Sequence, residues 1–341
     1  MKINEEYIKS LAKDIYQIDS PSGFTKNVIA RINEEAKKYN LKTSFSKKGN
    51  LMVYLNGSDS SYKRAITSHV DTLGLMVRSI TSKGTLKVTK VGGPLVPSLD
   101  GEYCKIYTRD NRVYTGTILS TSPSVHVYKD ASTKTRDESN MEVRIDEEVT
   151  CKEDVLALGI NNGNYICYDP KTVITDSGFI KSRFIDDKIS VVCLFGLIDY
   201  YHQTNSKPKN DIVFVFSTYE EVGHGASALP EVDEILACDM GCIGEDLTCS
   251  EYDVSICAKD SSGPYNYELV CKLEELAKEN NLDYAVDIYP FYGSDASAAL
   301  RAGHDVKHAL IGPGVHASHG MERTHLKGIT NTIKLLIAYT K

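Results

Sequence analysis

Histidines and carboxylates stand at the ends of apolar segments in this chain of 341 residues. These candidate residues are His69 and Asp71, Asp186 and Asp187, Glu220 and Glu221, Asp239, and the pair His316 and His319. In an open α/β sheet, ligands bind beyond the carboxyl ends of the strands, so side chains at these ends meet in one place. A set of two histidines and three or more carboxylates suits zinc, cobalt or manganese, and it does not suit copper or an iron–sulfur cluster.

The spacing assigns roles to the first two clusters. Residues two apart at a strand end point the same way, so Asp71 can accept a hydrogen bond from His69 and leave the other ring nitrogen for a metal. Asp186 and Asp187 stand where an extended segment gives way to a helix, whose N-terminus tolerates negative charge. We predict that Asp186 bridges two cations and that Asp187 caps the helix.

Two further pairs complete the predicted site. Glu220 and Glu221 follow a buried strand, where adjacent carboxylates repel one another unless a cation or a shared proton compensates. In a two-metal site, one unligated glutamate remains to take a proton from water. His316 and His319 lie three apart on a predicted glycine-rich loop, where this spacing does not fix a common face. Either histidine could therefore be the ligand.

Composition excludes several classes of protein. The chain has 39 basic and 46 acidic residues, a net charge of −7, which argues against nucleic-acid binding as the main activity. The longest apolar run, 189–197, is too short to span a membrane, and no apolar signal segment follows the N-terminus. None of the nine cysteines forms a CxxC pair, so we expect reduced thiols in a cytoplasmic protein with no membrane partner.

The order of apolar patterns predicts an α/β protein with an insertion. Helix and strand patterns alternate over the first seventy residues, and they return after Ser182 with a helix at 187–201, a strand at 212–217 and a helix at 267–279. Between these parts the pattern is β-rich. We predict a catalytic domain built from residues 1–73 and 171–341, interrupted by a β-rich domain at 74–170.

The motifs occur in the order and spacing of one peptidase family. They are Ser68-His69-Val70-Asp71-Thr72-Leu73-Gly74, Ile185-Asp186-Asp187-Lys188, Tyr219-Glu220-Glu221-Val222-Gly223, Cys238-Asp239, Gly293-Ser294-Asp295-Ala296 and Ala317-Ser318-His319. In these motifs the chain resembles the glutamyl aminopeptidase and tetrahedral (TET) aminopeptidase family of cytosolic dinuclear metallopeptidases. The resemblance implies a zinc-peptidase-like, three-layer α/β/α catalytic domain and an inserted, β-barrel-like dimerisation domain.

The resemblance also implies a role for each site residue. The implied metal ligands are His69, Asp186 and Asp239 for one ion, and Asp186, Glu221 and His319 for the other, with Asp186 bridging. Glu220 would be the general base, and Asp71 would orient His69. Two further residues, Asp295 and His316, are candidate substrate contacts. His316 stands where many members have an arginine. Thr72 stands at a position where many members have an acidic residue. We therefore assign no preference for a particular N-terminal side chain of the substrate.

The implied activity is removal of the N-terminal residue from short peptides. Two divalent ions per subunit are expected, zinc or cobalt, with manganese as a further option. The family also implies self-association as a dimer and, in many members, as a hollow tetrahedron of twelve subunits.

Other functions compete with this interpretation. An N-acyl amino-acid deacylase would use the same two metals and would need an arginine for the substrate carboxylate, for which Arg183 and Arg301 are available. A non-catalytic, metal-stabilised shell would normally use a closed, cysteine-rich site, which this set is not. A polysaccharide hydrolase with Glu220 and Glu221 as its acid pair is excluded on steric grounds, because adjacent residues on a strand point to opposite faces and a glycosidase needs two carboxyl groups that face one bond.

Overall fold

The structure, a computed structural model, describes residues 2–341; residue 1 of the predicted catalytic segment lies outside this range. The chain forms two compact units. One unit is Thr72–Pro170, and the other combines the described residues up to Asp71 with Lys171–Lys341.

The described residues of the two units form seven α-helices and nineteen strands, which alternate through most of the larger unit. The helices are α1 (Glu5–Tyr16), α2 (Lys26–Lys38), α3 (Lys152–Ala157), α4 (Ile185–Gln203), α5 (Tyr267–Glu279), α6 (Asp295–Arg301) and α7 (Leu326–Thr340). The strands are β1 (Lys42–Phe45), β2 (Leu51–Leu55), β3 (Asp59–His69), β4 (Gly74–Ile80), β5 (Leu86–Val91), β6 (Tyr103–Tyr107), β7 (Val113–Ser120), β8 (Met141–Ile145), β9 (Tyr165–Tyr168), β10 (Val173–Ile174), β11 (Phe179–Ser182), β12 (Asn210–Ser217), β13 (Glu234–Cys238), β14 (Gly241–Cys242), β15 (Val254–Asp260), β16 (Gly263–Pro264), β17 (Tyr284–Ile288), β18 (Lys307–Val315) and β19 (Glu322–His325). None of the described helices is long and apolar enough to cross a lipid bilayer.

The larger unit is organised around one mixed sheet of ten strands. Its main order is β1-β2-β12-β3-β13-β18-β15-β16, with β14 paired to β18 and β17 paired to β15. Strands β12, β3, β13 and β18 run parallel to one another. Their carboxyl ends therefore meet at one edge of the sheet, where open α/β sheets bind ligands. A separate sheet joins β10, β11 and β19.

Apolar runs explain why the sheet is covered by helices. In β12 the residues from Ile212 to Phe216 are all buried, as expected for a central strand covered on both faces. Helix α4 packs against β3 and against helices α1 and α7, and its residues from Ile185 to Ile198 are all buried. Helix α2 contacts β1 and β2, and α6 contacts β3, β13 and β18. The predicted three-layer α/β/α fold is confirmed.

The smaller unit is a β-barrel, as the sequence predicts. Strands β4, β5, β8, β7, β6 and β9 close on one another in that order. Apolar side chains fill its interior, among them Val88, Ile106, Val143 and Ile166. Closure pairs the strand edges that an open sheet would expose. Helix α3 lies between β8 and β9 in this unit.

One strand is longer than the sequence predicts. The glycines and proline of 312–314 indicate a loop, but these residues lie inside β18. A Cβ atom on Gly312 would lie 1.8 Å from the carbonyl oxygen of Asp239. Glycine is needed here because the backbone that leads into Asp239 passes directly over β18. The prediction of a loop was wrong because it ignored this close approach.

We expect Phe216→Ala to destabilise the larger unit strongly. Phe216 is fully buried and stacks on Phe195, with 5.5 Å between ring centroids. Removing a buried aromatic ring lowers the free energy of unfolding by about 3–5 kcal/mol, which urea titration followed by circular dichroism can measure. Phe45→Ala is the matched control, because Phe45 is 54% exposed, and its change should stay within about 0.5 kcal/mol. Equal losses in both variants would contradict this account of the core.

Candidate metal centre

The candidate site lies at the carboxyl ends of the parallel strands. His69 is the last residue of β3, and Asp239 directly follows β13. Glu220 and Glu221 lie on a 3₁₀ turn that follows β12, and His319 lies on the loop after β18. Asp186 is in the first turn of α4, so five separate elements contribute to one place.

Asp186 lies between the two histidines. Its Oδ1 is 3.1 Å from Nε2 of His69, and its Oδ2 is 3.5 Å from Nε2 of His319. Glu220 approaches the first imidazole, with Oε2 at 3.7 Å from His69 Nε2, and Glu221 approaches the second, with Oε2 at 3.6 Å from His319 Nε2. The carboxylate of Asp186 thus presents one oxygen to each half of the site, the arrangement that a bridging ligand requires.

Asp239 completes the group on the His69 side. Donor atoms of His69, Asp187 and Asp239 lie within 4.8 Å of one another, and so do donor atoms of His69, Asp186 and Glu221. The structure therefore brings together all five residues that the sequence predicts as metal ligands. Because an imidazole and carboxylates form both groups, each offers the donors that zinc, cobalt or manganese accepts.

Burial makes these carboxylates hard to keep charged. It raises the pKa of Glu220 and Glu221 well above the usual value, and nearby negative charge adds to this effect. Burial likewise raises the pKa of Asp239 to about 7, although the positive charge of His69 opposes the rise. For Asp186, burial acts in the same direction, but hydrogen bonds from His319 and His69 outweigh it and lower the pKa. Positive charge is needed to hold such a cluster ionised.

Two carboxylate oxygens in the site are buried and lack a hydrogen-bond partner among the described residues. They are Oε1 of Glu221 and Oδ1 of Asp187. Buried polar atoms in native proteins are normally hydrogen-bonded or bound to an ion. The unpartnered oxygens, together with the hard nitrogen and oxygen donors around them, fit divalent cations.

Asp71 acts differently from the sequence prediction. Nδ1 of His69 donates to the backbone carbonyl of Asp71 at 2.8 Å, whereas the nearest carboxylate oxygen is 3.7 Å away. The prediction assumed strand alternation, but β3 ends at His69. The Asp71 carboxylate instead accepts hydrogen bonds from Ser22 Oγ, from the amide of Glu220 at 3.1 Å and from that of Glu221 at 3.3 Å. It therefore positions the turn that carries both glutamates.

Asp187 does not cap the helix as predicted. Its Oδ2 accepts a hydrogen bond from the backbone amide of His69 at 3.3 Å, and its backbone is non-helical. The peptide bond between Asp186 and Asp187 is cis. Asp187 therefore connects the start of α4 to the end of β3 rather than to its own helix.

The two predicted substrate contacts lie in different environments. Asp295 is buried, and its carboxylate accepts from Ser217 Oγ at 2.6 Å and from the amide of Ala226 at 2.8 Å. Both of its oxygens are thus used to brace the ends of the loop that carries the two glutamates. His316 is exposed, and its backbone pairs with Arg323. It is not among the residues that line the site's cleft.

The assumption that Glu220 and Glu221 lie on a strand was wrong. They occupy a 3₁₀ turn and not a strand, so their side chains need not point to opposite faces. Both carboxylates reach the same site from this turn. The argument from strand geometry against an acid pair therefore does not hold for these residues.

Sequence reasoning missed Glu322. This buried residue accepts hydrogen bonds from the backbone amides of two predicted ligands, Asp186 at 3.0 Å and His319 at 2.9 Å. Its signal in the sequence is weak, because it is a single acid three residues after a candidate ligand. Only the fold shows that it ties the loop after β18 to the start of α4.

The site opens into a cleft of about 230 Å³. The residues that line it are Asp186, Glu220, Glu221, Gly223, Asp239, Phe291, Tyr292, Gly293, Arg301 and His319. Four of these are acids, so the floor of the cleft suits cations and the positively charged end of a ligand.

Sequence comparison relates this chain to one family of aminopeptidases. The profile of the M42 glutamyl aminopeptidase family matches residues 49–335. YhfE of Bacillus subtilis, whose aminopeptidase designation is provisional, is 47% identical over 97% of this chain and 96% of its own length.

Solved structures match the fold over nearly the whole chain. The TET aminopeptidase of a marine-sediment Thaumarchaeota archaeon has a TM-score of 0.88 at 21% identity, with 99% of this chain and 97% of that chain covered. The TET1 peptidase of Pyrococcus horikoshii has a TM-score of 0.85 at 23% identity, with 98% and 99% covered. That peptidase is described as assembling into a tetrahedron or a large octahedral shell.

We expect Glu322→Gln to weaken metal binding by about 10- to 100-fold, because each backbone N–H binds a different carboxylate oxygen and glutamine replaces one of these oxygens with an NH2 group that cannot accept. Competition with a fluorescent chelator would measure this change for zinc and for cobalt. Glu268→Gln is the control, since Glu268 is exposed and pairs with Lys307. Unchanged affinity in Glu322→Gln would show that the two amides hold their positions without this carboxylate.

Proposed function

The chain belongs to the M42 glutamyl aminopeptidase family, and we propose that it removes the N-terminal residue from short peptides with two divalent cations and a glutamate base. The observation that carries this proposal is the position of Asp186 between two imidazoles, with Glu220 and Glu221 on either side. We assign His69, Asp186 and Asp239 to one ion, and Asp186, Glu221 and His319 to the other.

The donor chemistry supports zinc or cobalt, with manganese as a further option. When bound, the cations would lower the pKa of a water molecule and polarise the carbonyl of the scissile bond. The buried Oε1 of Glu221, which has no hydrogen-bond partner in the part of the chain described here, supports the assignment of Glu221 as a ligand.

Glu220 is assigned as the general base. The backbone amide of Glu220 is fixed by Asp71, so its carboxylate is held at the floor of the cleft. There it takes a proton from the attacking water and passes it to the leaving amine. The acidic floor would also hold the free N-terminal ammonium group of a peptide, which makes removal of a single N-terminal residue the expected outcome.

We further propose that residues 1–73 and 171–341 form the catalytic domain and that residues 74–170 form a dimerisation domain. The assembly of the similar Pyrococcus horikoshii peptidase supports self-association of this chain, as a dimer and as a tetrahedral dodecamer. The nine cysteines form no disulfide in the described part of the chain, which supports a reducing, cytoplasmic location.

The deacylase remains a defined alternative for the test below. It needs an arginine close to the metals, and Arg301 lines the cleft whereas Arg183 does not. The family and the named relatives favour the aminopeptidase.

A substrate panel tests the proposed function directly. We expect metal-stripped protein to be inactive, and zinc, cobalt or manganese to restore cleavage of free aminoacyl amides but not of their N-acetyl forms. Metal content by mass spectrometry should reach two ions per chain. Cleavage of only the acetylated compounds would instead establish a deacylase, and binding without turnover would indicate a structural metal site.

Exchange of Glu220 for glutamine separates proton transfer from metal binding. We expect Glu220→Gln to keep both ions and to lower kcat by about 10²- to 10⁴-fold, because only the proton acceptor is lost. Glu221→Gln is the matched control and should lose bound metal. Near-normal turnover of Glu220→Gln would rule out its assignment as the base.

A further inference from the structure

We propose that Arg301 forms a subsite for a substrate carboxylate in the cleft, so that the enzyme favours very short peptides that carry this group. The proposal rests on the aminopeptidase function and specifies its substrate class. The carboxylate can belong to the C-terminus of the peptide or to an acidic side chain close to it.

The charged residues that line the cleft match the two ends of a short peptide. Arg301 is the one lysine or arginine among the described residues that line the cleft, and four acids line the same cleft. A peptide has an ammonium group at one end and a carboxylate at the other. The acidic floor and the arginine therefore match the two ends of a short peptide in one orientation.

The guanidinium group of Arg301 has N–H donors that can bind a ligand. Its Nη1 donates to Ser262 Oγ at 2.7 Å, and no ion pair to Arg301 occurs within the described range 2–341. A guanidinium has five N–H donors, so most of them remain for a ligand. Arginine binds carboxylates in a bidentate manner, and the hydroxyl of Ser262 limits the number of orientations that the side chain adopts.

Helix α6 connects Arg301 to the loop that carries Glu220. Arg301 is the last residue of α6, and Asp295 is the first, about 9 Å away along the helix axis. Asp295 is hydrogen-bonded to Ser217 and Ala226, at the two ends of the loop that carries Glu220. The helix therefore holds the backbone of Arg301 in a fixed position relative to the loop that carries the proposed base.

The small volume of the cleft favours short peptides. A cleft of about 230 Å³ is smaller than the roughly 300–1,000 Å³ of ordinary small-molecule pockets, so it has room for a short peptide and not for a long one. Phe291 also lines this cleft and is 98% exposed, so its ring offers an apolar surface to a peptide side chain. A longer peptide would carry its C-terminus past Arg301 and lose the contact.

The test compares peptides that differ only in the carboxylate. The substrates are Ala-Ala-Ala, its C-terminal amide, and the C-terminal amide of Ala-Ala-Glu, with the metal-loaded wild type, Arg301→Gln and Arg301→Lys. We expect the wild type to prefer the free acid by about 10- to 100-fold in kcat/KM, mainly through KM. Arg301→Gln should abolish this preference, because it should lower kcat/KM for the free acid far more than for Ala-Ala-Ala amide, while Arg301→Lys should keep part of it.

The control is Lys307→Gln, which removes one positive charge from an exposed residue that pairs with Glu268 outside the cleft. It should retain the preference. Recovery of efficient cleavage with Ala-Ala-Glu amide would identify the acidic side chain as an accepted source, and no recovery would limit the subsite to the C-terminus. Equal kcat/KM for acid and amide in the wild type, or equal losses for both in Arg301→Gln, would overturn the subsite.

Failure of the proposed function is distinguishable from failure of the subsite. If the metal-loaded wild type cleaves none of these peptides, the aminopeptidase proposal fails, and calorimetry decides the subsite. Tighter binding of Ala-Ala-Ala than of its amide, lost in Arg301→Gln, would support the carboxylate contact. Equal binding of the two peptides by the wild type would overturn it.

Discussion

The concentration of buried carboxylates at the ends of parallel strands is the constraint on which the rest of this structure depends. Asp186, Asp187, Glu220, Glu221 and Asp239 are withdrawn from water around two imidazoles. Burial of so much like charge is unfavourable unless cations or protons neutralise it. The same constraint explains why buried oxygens of Glu221 and Asp187 have no hydrogen-bond partner in the described chain. These acids are arranged for positive ions and not for one another.

A second group of acids has the opposite character. Asp71, Asp295 and Glu322 each use both carboxylate oxygens to accept hydrogen bonds from backbone amides or hydroxyl groups. They hold the segments that carry the proposed ligands and the proposed base. Residues around a metal site commonly set the orientation of its ligands in this way. The site therefore consists of inner acids, of which Glu221 and Asp187 each keep one buried oxygen without a hydrogen-bond partner in the described chain, and outer acids that use both oxygens.

The cleft extends this division of charge outward. Its floor is acidic, whereas its lining also includes Arg301 and the exposed ring of Phe291. Such a cleft has a direction, because the two ends of a peptide differ in charge. The fold makes this possible by ending β3, β12, β13 and β18 at one edge of the sheet and by placing α6 beside them.

The sequence by itself determined the α/β class, the β-rich insertion and the family, because these depend on local apolar periodicity and on motifs that are contiguous in the chain. The three-layer arrangement and the barrel followed only from the resemblance to that family. It also pointed to His69, Asp186 and Glu220, since acids and histidines at strand ends need no tertiary information to be noticed. Tertiary structure alone decided how Asp71, Asp187 and Asp295 are used, because hydrogen-bond partners are set by segments distant in sequence. It also revealed Glu322, and it placed Gly312 in a strand under the backbone of Asp239, because burial and close approach have no local signature.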